Sequence, residues 1–288
     1  MHFYVAEQPM WVAVKGADAK KVVNNLCTAD IVQLGENEST ECFVTDVRGR
    51  VVAFAICHVA GESVNLLGTH PDPQAVANHI DRYIIREAAE VTDCSPDSSI
   101  LLADAPPSGL ELGIQVPARL FVGGGWLIGV AQNECSTAEQ HLSSTGFERL
   151  SPYDAELKRI EAFWPNNGTE IGEKSLPQEL DRDAVAISFT KGCYLGQETV
   201  ARLDARGQLQ KKLCLVGSDT ELAVGGELTD GDKVVGKLYS VTKRPDEKWL
   251  GLANMRRGYF EPGTTVYAGQ AAVNVQDIPS FDQPQASS

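Results

Sequence analysis

The stretch 189-FTKGCYLGQETVAR-202 sets a cysteine, Cys193, between Lys191-Gly192 and Tyr194, with Gly196, Gln197 and Glu198 following directly. The preceding 184-AVAISF-189 reads as a short, partly apolar segment, and 197-QETVARL-203 reads as a helix. Gly192 and Gly196 then mark backbone positions where a side chain would collide or φ must be positive. Cys193 falls just upstream of a helix N-terminus with Lys191 beside it. A helix dipole and a nearby cation both favour thiolate over thiol. Glu198, in the first helical turn, competes for that positive potential, or else positions a water or an amine. A plainer reading fits as well: Cys193 is a small residue in a tight turn, and Lys191 and Glu198 are a solvated pair. The residues alone leave nucleophile, ligand and turn residue open.

Working outward, composition narrows the classes. The chain has 288 residues, 43% hydrophobic and 22% charged, as in an ordinary soluble protein of more than one domain. No apolar run approaches the roughly 18–20 residues that span a bilayer. The N-terminus has no basic segment followed by an apolar one and is not Arg-rich, so the expected location is cytoplasmic. A formal net charge of −14 argues against a broad nucleic-acid surface. The one conspicuously basic stretch holds Lys191, Arg202, Arg206, Lys211 and Lys212, a hint of an anionic ligand. The seven cysteines contain no C-x-x-C, and the five histidines are scattered, so no metal site is expected. Cysteines other than Cys193, in runs such as ECFVTD, FAICHV and KLCLVG, read as small buried hydrophobes.

Caps and periodicity outline the elements. Asp18 caps a helix over 18–27. Asp72-Pro73 opens a helix over 73–89, with Val76, Ile80, Tyr83 and Ile84 as its apolar face. Ser136-Thr137-Ala138-Glu139 reads as a capping box, with Gly146 closing that helix. Ser151-Pro152 opens another, which Pro165 stops. ECFVTD and RVVAFAICHV form a hairpin around Val47-Arg48-Gly49, and RLFVG and WLIGVA form a second around Gly123–Gly125. From about residue 208 short strands alternate with glycine turns and no helical period, as in a small β-barrel. The polar tail PSFDQPQASS reads as disordered. In 159-RIEAFWP-165, Arg159 and Glu161 fall on different helix faces, and Glu156 and Arg159, three apart, can pair. A carboxylate there that faces a pocket can accept two hydrogen bonds from a guanidine-like edge such as a pterin's.

Together these pieces resemble the YgfZ family, the folate-binding relatives of the glycine-cleavage T-protein. Lys191-Gly192-Cys193-Tyr194-Leu195-Gly196-Gln197-Glu198 matches the K-G-C-Y-x-G-Q-E signature at every fixed position. Arg159-Ile160-Glu161-Ala162, Pro177-Gln178-Glu179 and Phe189 fit the same pattern. So does 16-GADAKKVVNNLCTADIVQL-34, which looks like the family's first helix and following strand. The stretches 225-GGELTDGDKVVGKLYSVT-242 and 250-LGLANMRRG-258 resemble the T-protein's C-terminal barrel. The likeness runs from about residue 10 to about 278.

The resemblance implies an α+β fold: a three-part ring of two ferredoxin-like units and a C-terminal β-barrel. It divides into a folate-binding region over 1–207, a barrel over 208–278 and a tail over 279–288. A central opening would hold tetrahydrofolate, with Glu161 facing the pterin and Arg159, Tyr194, Gln197, Glu198 and Arg202 in the binding set. Cys193 would lie near that opening as the working thiol, its pKa lowered by Lys191. The implied partners are a folate and iron–sulfur cluster enzymes or assembly proteins, with tRNA thiomodification served indirectly. Direct nucleic-acid or membrane contact is not implied. In the aminomethyltransferase proper an Asp pair follows the first hairpin turn, in a G-I-V-D-D pattern. Here the run is 49-GRVVAF-54, and Ala53 and Phe54 cannot accept a proton or hold an amine. The expected function is therefore a folate-binding accessory role in cluster assembly or repair. A tetrahydrofolate-dependent C1 transferase using Asp46 or Glu161 is the alternative, and a pure binding module with a structural Cys193 is the third reading.

Overall fold

The computed structural model describes residues 1–207 and 209–280. The strands β1 (His2–Val5) and β2 (Pro9–Lys15) lead to helix α1 (Ala19–Leu26). Next come β3 (Ser39–Thr45), β4 (Val51–Ala60), β5 (Ser63–Thr69) and α2 (Pro73–Asp81). They are followed by β6 (Glu90–Asp93), β7 (Ser98–Ala103), β8 (Ile114–Pro117), β9 (Trp126–Ala131), α3 (Cys135–Ser144), β10 (Glu148–Arg149) and α4 (Pro152–Glu161). The short α5 (Asp183–Ala186) and then α6 (Gln197–Arg206) precede β11 (Lys211–Ser218), β12 (Glu227–Asp230), β13 (Lys233–Lys243), β14 (Trp249–Arg256), β15 (Thr265–Ala268) and β16 (Ala271–Val275).

The strands form two five-stranded sheets, ordered β3-β4-β5-β2-β6 and β10-β1-β7-β9-β8, and a closed barrel, β11-β14-β13-β12-β15-β16. This is the α+β architecture with a C-terminal barrel that the resemblance implies. Strand β4 shows how the layers are made. Its side chains alternate in direction with period two. Ala53, Ala55, Cys57 and Val59 pack under α1 and α2 with Val22, Leu26, Val76 and Ile80. Phe54 and Ile56 face the opposite way, into a core shared with Leu127 of the second sheet, Ile160 of α4 and Leu213 of the barrel. Helix α3 covers the far face of the second sheet through Ala138 and Leu142. The three parts thus meet on one central core.

A buried ion pair ties this core together. Arg182 is wholly buried. It donates to both oxygens of Glu41 on β3 over 2.7 Å and to the Phe163 carbonyl over 3.1 Å. Its guanidinium also lies 4.9 Å from the Trp164 ring centre and 5.4 Å from that of Phe54. Removing one partner of such a pair costs about 3–5 kcal/mol, because the other charge stays buried.

Several local expectations need correction. Asp72 does cap α2, accepting from Ala75 N–H over 3.0 Å, but the helix ends at Asp81 rather than 89. Tyr83 and Ile84 donate to Ile80 and Asp81 in tighter turns, and Ile85 is exposed. Asp18 precedes α1 without a side-chain cap, because its carboxylate accepts from Ala88 N–H instead. Residues 28–34 form no strand after α1. Ser136 lies inside α3, which a 3-10 turn over Gln132–Glu134 introduces. The second hairpin uses Ile114–Pro117, not RLFVG. Ala118 N–H bonds to Gly125 and Gly124 N–H to Phe121, so 119–123 is turn. Of the tail expected to be disordered, residues 281–288 lie outside the described residues.

Candidate functional site

The 191–198 motif is stitched between α1 and the β3–β4 turn. Leu195 N–H donates to the Asn25 carbonyl over 2.8 Å, and the Thr45 hydroxyl donates to the Leu195 carbonyl over 2.6 Å. Gly196 has φ 80, and a Cβ there would meet Asp46 O at 2.4 Å and Gly49 Cα at 2.5 Å. Only glycine fits that close crossing. Gly192 differs from expectation: it has no positive φ, and nothing lies within 4 Å of a Cβ.

Lys191 is buried and turned inward. Its ammonium donates to the carbonyls of Asn24 (2.7 Å), Cys27 (3.0 Å) and Ala29 (2.5 Å), at and just beyond the C-terminus of α1. Helix ends leave such carbonyls without intrahelical partners, and here a lysine supplies them. Its ammonium also lies 5.1 Å from the Tyr194 ring centre. Burial lowers the pKa of Lys191, partly offset by nearby Cys27, Asp30, Cys42 and Cys57. The expected pairing of Lys191 with the Cys193 thiol is thereby replaced by a structural role. Cys42 and Cys57 are buried, as read from their apolar strands, and Cys27, at the end of α1, is buried too, with burial pushing its thiol well up.

Cys193 itself is exposed. It sits at a hollow of about 440 Å³ shared with Tyr194, Asn25, Leu26, Tyr83 and Glu87. Burial pushes the Tyr194 hydroxyl up to about 12. Gln197 is half-buried, and Glu198 and Arg202 are exposed on α6. None of those three lines this hollow or the central cavity. Among the described side chains the basic stretch does not gather into an anion site. Besides the inward Lys191, Lys211 pairs with Glu179 at 3.2 Å and Lys212 with Asp181 at 2.7 Å. Among the described residues no three His, Cys, Asp or Glu side chains converge as a metal-ion ligand set.

A second cavity, about 350 Å³, opens between the two sheets and α4. Leu102, Leu120, Phe121, Leu127 and Trp164 make its apolar wall, and Glu7, Glu156, Arg159, Asn166 and Asn167 its polar one. Cys193 and its hollow share no lining residue with it. Arg159 lines this cavity. It donates to both oxygens of Glu156 at 2.7 Å, to Glu170 at 3.1 and 3.2 Å, to Ser240 Oγ at 2.8 Å and to the Trp164 carbonyl at 2.6 Å. Burial would lower its pKa, but Glu170 and Glu156 outweigh that and raise it.

Glu161 does not line this cavity. It faces Lys158 at 3.3 Å and Arg244 at 3.8 Å, because position 161 falls on the helix face opposite Arg159. Asn167 carries no local signal in the sequence. Its side chain bonds both Phe54 N–H (2.9 Å) and Phe54 C=O (2.9 Å), and also the Thr69 carbonyl (2.8 Å), so it fixes β4 at the cavity edge. At that point the Phe54 ring packs 5.1 Å from Phe43 and 4.7 Å from Trp164, centre to centre. Ala53 points to the α1–α2 side. No carboxylate stands at either position.

The donor set suits a pterin: flat apolar faces, carboxylates for N–H donors, and side-chain amides. Tetrahydrofolate therefore fits the residues of the central cavity. When bound it would supply a one-carbon carrier, and Glu7, Glu156, Asn166 and Trp164, which line the cavity, would be the side chains to hold it.

No family model matches the chain. A "tRNA-modifying protein YgfZ" of Vibrio atlanticus is 24% identical over 84% of this chain and 80% of its own length. Another protein of that name, from Escherichia fergusonii, is 23% identical over 86% of this chain and 88% of its own length. An uncharacterised protein of Haemophilus influenzae is 27% identical over 78% of each. The crystal structure of the glycine cleavage system aminomethyltransferase T from Bartonella henselae superposes with a TM-score of 0.82 at 16% identity, covering 96% of this chain and 85% of that one. The resemblance read from the motifs thus extends along the chain, and the fold is that of the T-protein. Among the described residues no helix is long and apolar enough to cross a membrane.

Proposed function

We propose that this chain is a YgfZ-type, folate-binding accessory protein that acts in the cytoplasm in iron–sulfur cluster assembly or repair, and so supports tRNA modification by cluster enzymes. Residues 1–207 would carry the folate and the thiol, and 208–278 would form the barrel unit. The observation that carries the reading is a pair of features. A cavity suited to a folate lies in a T-protein fold whose run Val52-Ala53-Phe54, after the first hairpin turn, carries no carboxylate, and an exposed Cys193 lines a different hollow. Aminomethyl transfer needs an acid–base group at the reacting nitrogen. Asp46 is committed to the backbone N–H groups of Arg48 and Arg50, and Glu161 to Arg244 and Lys158. The transferase reading is disfavoured on those grounds.

The cluster is written as cargo. One thiol cannot hold it, so its other ligands come from a partner protein or a small thiol. Complementation tests the reading. In a strain lacking the protein, the wild-type chain should restore cluster-enzyme activity and Cys193→Ala should not. Full restoration by Cys193→Ala removes the thiol from the mechanism. Steady turnover of an aminomethyl donor by the purified protein would favour the transferase instead.

A further inference from the structure

The central cavity contains a carboxylate held ready for a ligand, and it is not the one that the motif suggests. Glu156 and Arg159 are three apart on α4 and meet as a two-pronged pair, Nε to Oε2 and Nη2 to Oε1, both 2.7 Å. Arg159 cannot swing. Glu170, the Trp164 carbonyl and Ser240 hold its other N–H groups, and the Ser240 hydroxyl in turn donates to Glu170. Glu170 is itself buried and accepts from Asn166 N–H over 2.9 Å. The position of the Glu156 carboxylate is therefore fixed before anything binds.

Each Glu156 oxygen accepts one bond from Arg159, and the Ser240 hydroxyl also stands within reach of this carboxylate. The side chain is 38% exposed, and the residue lines the cavity. Burial pushes its pKa up, but Arg159, and to a smaller extent Ser240, outweigh burial and lower it, so the group stays charged near neutrality. A fixed, charged carboxylate with acceptor capacity beyond its two Arg159 bonds matches a planar group that presents parallel N–H donors. Restraining it in advance removes part of the ordering cost of binding. Glu161, turned onto Lys158 and Arg244, has no such opening.

We propose that Glu156, clamped by Arg159, is the specificity-determining carboxylate that receives the guanidine-like N–H edge of a pterin in the central cavity, and that Glu161 is not. This rests on the folate reading above. Glu170 and Ser240 act behind Arg159 as positioning residues.

The test is calorimetric titration of the full chain with tetrahydrofolate under anaerobic conditions, beside p-aminobenzoyl-glutamate, which lacks the pterin. Glu156→Gln should weaken tetrahydrofolate by about 10- to 100-fold, the range for losing charge-assisted hydrogen bonds. It should leave p-aminobenzoyl-glutamate within about twofold, a scale far below one lost hydrogen bond. Glu161→Gln should bind tetrahydrofolate like the wild type. Unchanged thermal unfolding of both variants shows that the fold is intact. If tetrahydrofolate binds but Glu156→Gln is neutral, or Glu161→Gln carries the loss, the assignment to Glu156 is overturned while the folate reading stands. If the wild-type chain binds no tetrahydrofolate, both are overturned.

Discussion

The Lys191 ammonium lies 2.7 Å from the carbonyl oxygen of Asn24, across 167 positions of sequence. That contact, with those to Cys27 and Ala29, makes Lys191 the cap of α1 and the anchor of the Cys193 loop. Lys191→Met keeps the aliphatic stem but leaves the carbonyls without their donor. A buried unmet acceptor costs about 1–3 kcal/mol, and loss of the desolvated ammonium offsets part of the sum. Denaturant unfolding should show a loss of about 2–4 kcal/mol. If Lys191 instead served mainly to activate Cys193, stability would hold and only thiol reactivity would fall.

The two motif glycines should part company. Gly196→Ala forces a side chain into φ 80, against Asp46 O at 2.4 Å, where both walls are backbone. Strain and collision together should cost more than about 3 kcal/mol. Gly192→Ala faces open space on an exposed loop and should stay within about 0.5 kcal/mol of the wild type. Melting curves of the two variants decide it. Equal losses would mean that Gly192 has a packing role absent from this geometry.

These contrasts show what the sequence could reveal. Alternation along VVAFAICHV and the Asp72-Pro73 cap follow from local chemistry, so β4 and the start of α2 were readable. Gly196 was readable too, because a glycine before a helix signals an unusual backbone. The direction of Lys191 was not. Its partners lie on α1, brought near only by the tertiary fold. Glu156 and Arg159 were legible as a pair from their spacing, but which carboxylate of α4 faces the cavity depends on how the helix is rolled against the barrel. Asn167 gave no signal, since its partners on β4 and β5 are distant in sequence. RLFVG misled because glycines flank its apolar residues as they would a hairpin strand.

Thiol accessibility gives the third prediction. Cys193 is exposed, whereas Cys27, Cys42, Cys57, Cys135 and Cys214 are buried and Cys94 is half-buried. Burial also pushes the thiols of Cys27 and Cys94 upward, and that of Cys214 up to about 12. Alkylation needs thiolate and access together. Brief iodoacetamide treatment of the native chain, read by peptide mass spectrometry, should therefore mark Cys193 first, with Cys27 and Cys42 marked only in denaturant. Slow native labelling of Cys193 would support the reading in which this cysteine is structural.

The last prediction concerns pH. Burial, with repulsion from Asp181 and Asp204 and only partial relief from Lys212, raises Asp183 from 3.8 to about 6. One of its oxygens is buried with no hydrogen-bond partner. Between those two values the folded chain binds more protons than the unfolded one. The contribution of Asp183 is therefore most favourable below pH 3.8, declines as pH rises through about 6, and is constant above. Asp183→Asn keeps the shape and removes the titration. At pH 4 variant and wild type should unfold with nearly equal free energies. By pH 7 the variant should be the more stable, by at most about 3 kcal/mol, the value of two pKa units. Urea unfolding of both chains at intervals from pH 4 to pH 7.5 measures the gap. Curves that run parallel across that range would show that Asp183 is solvated or paired in the folded chain, and that its carboxylate is not held in an unfavourable site.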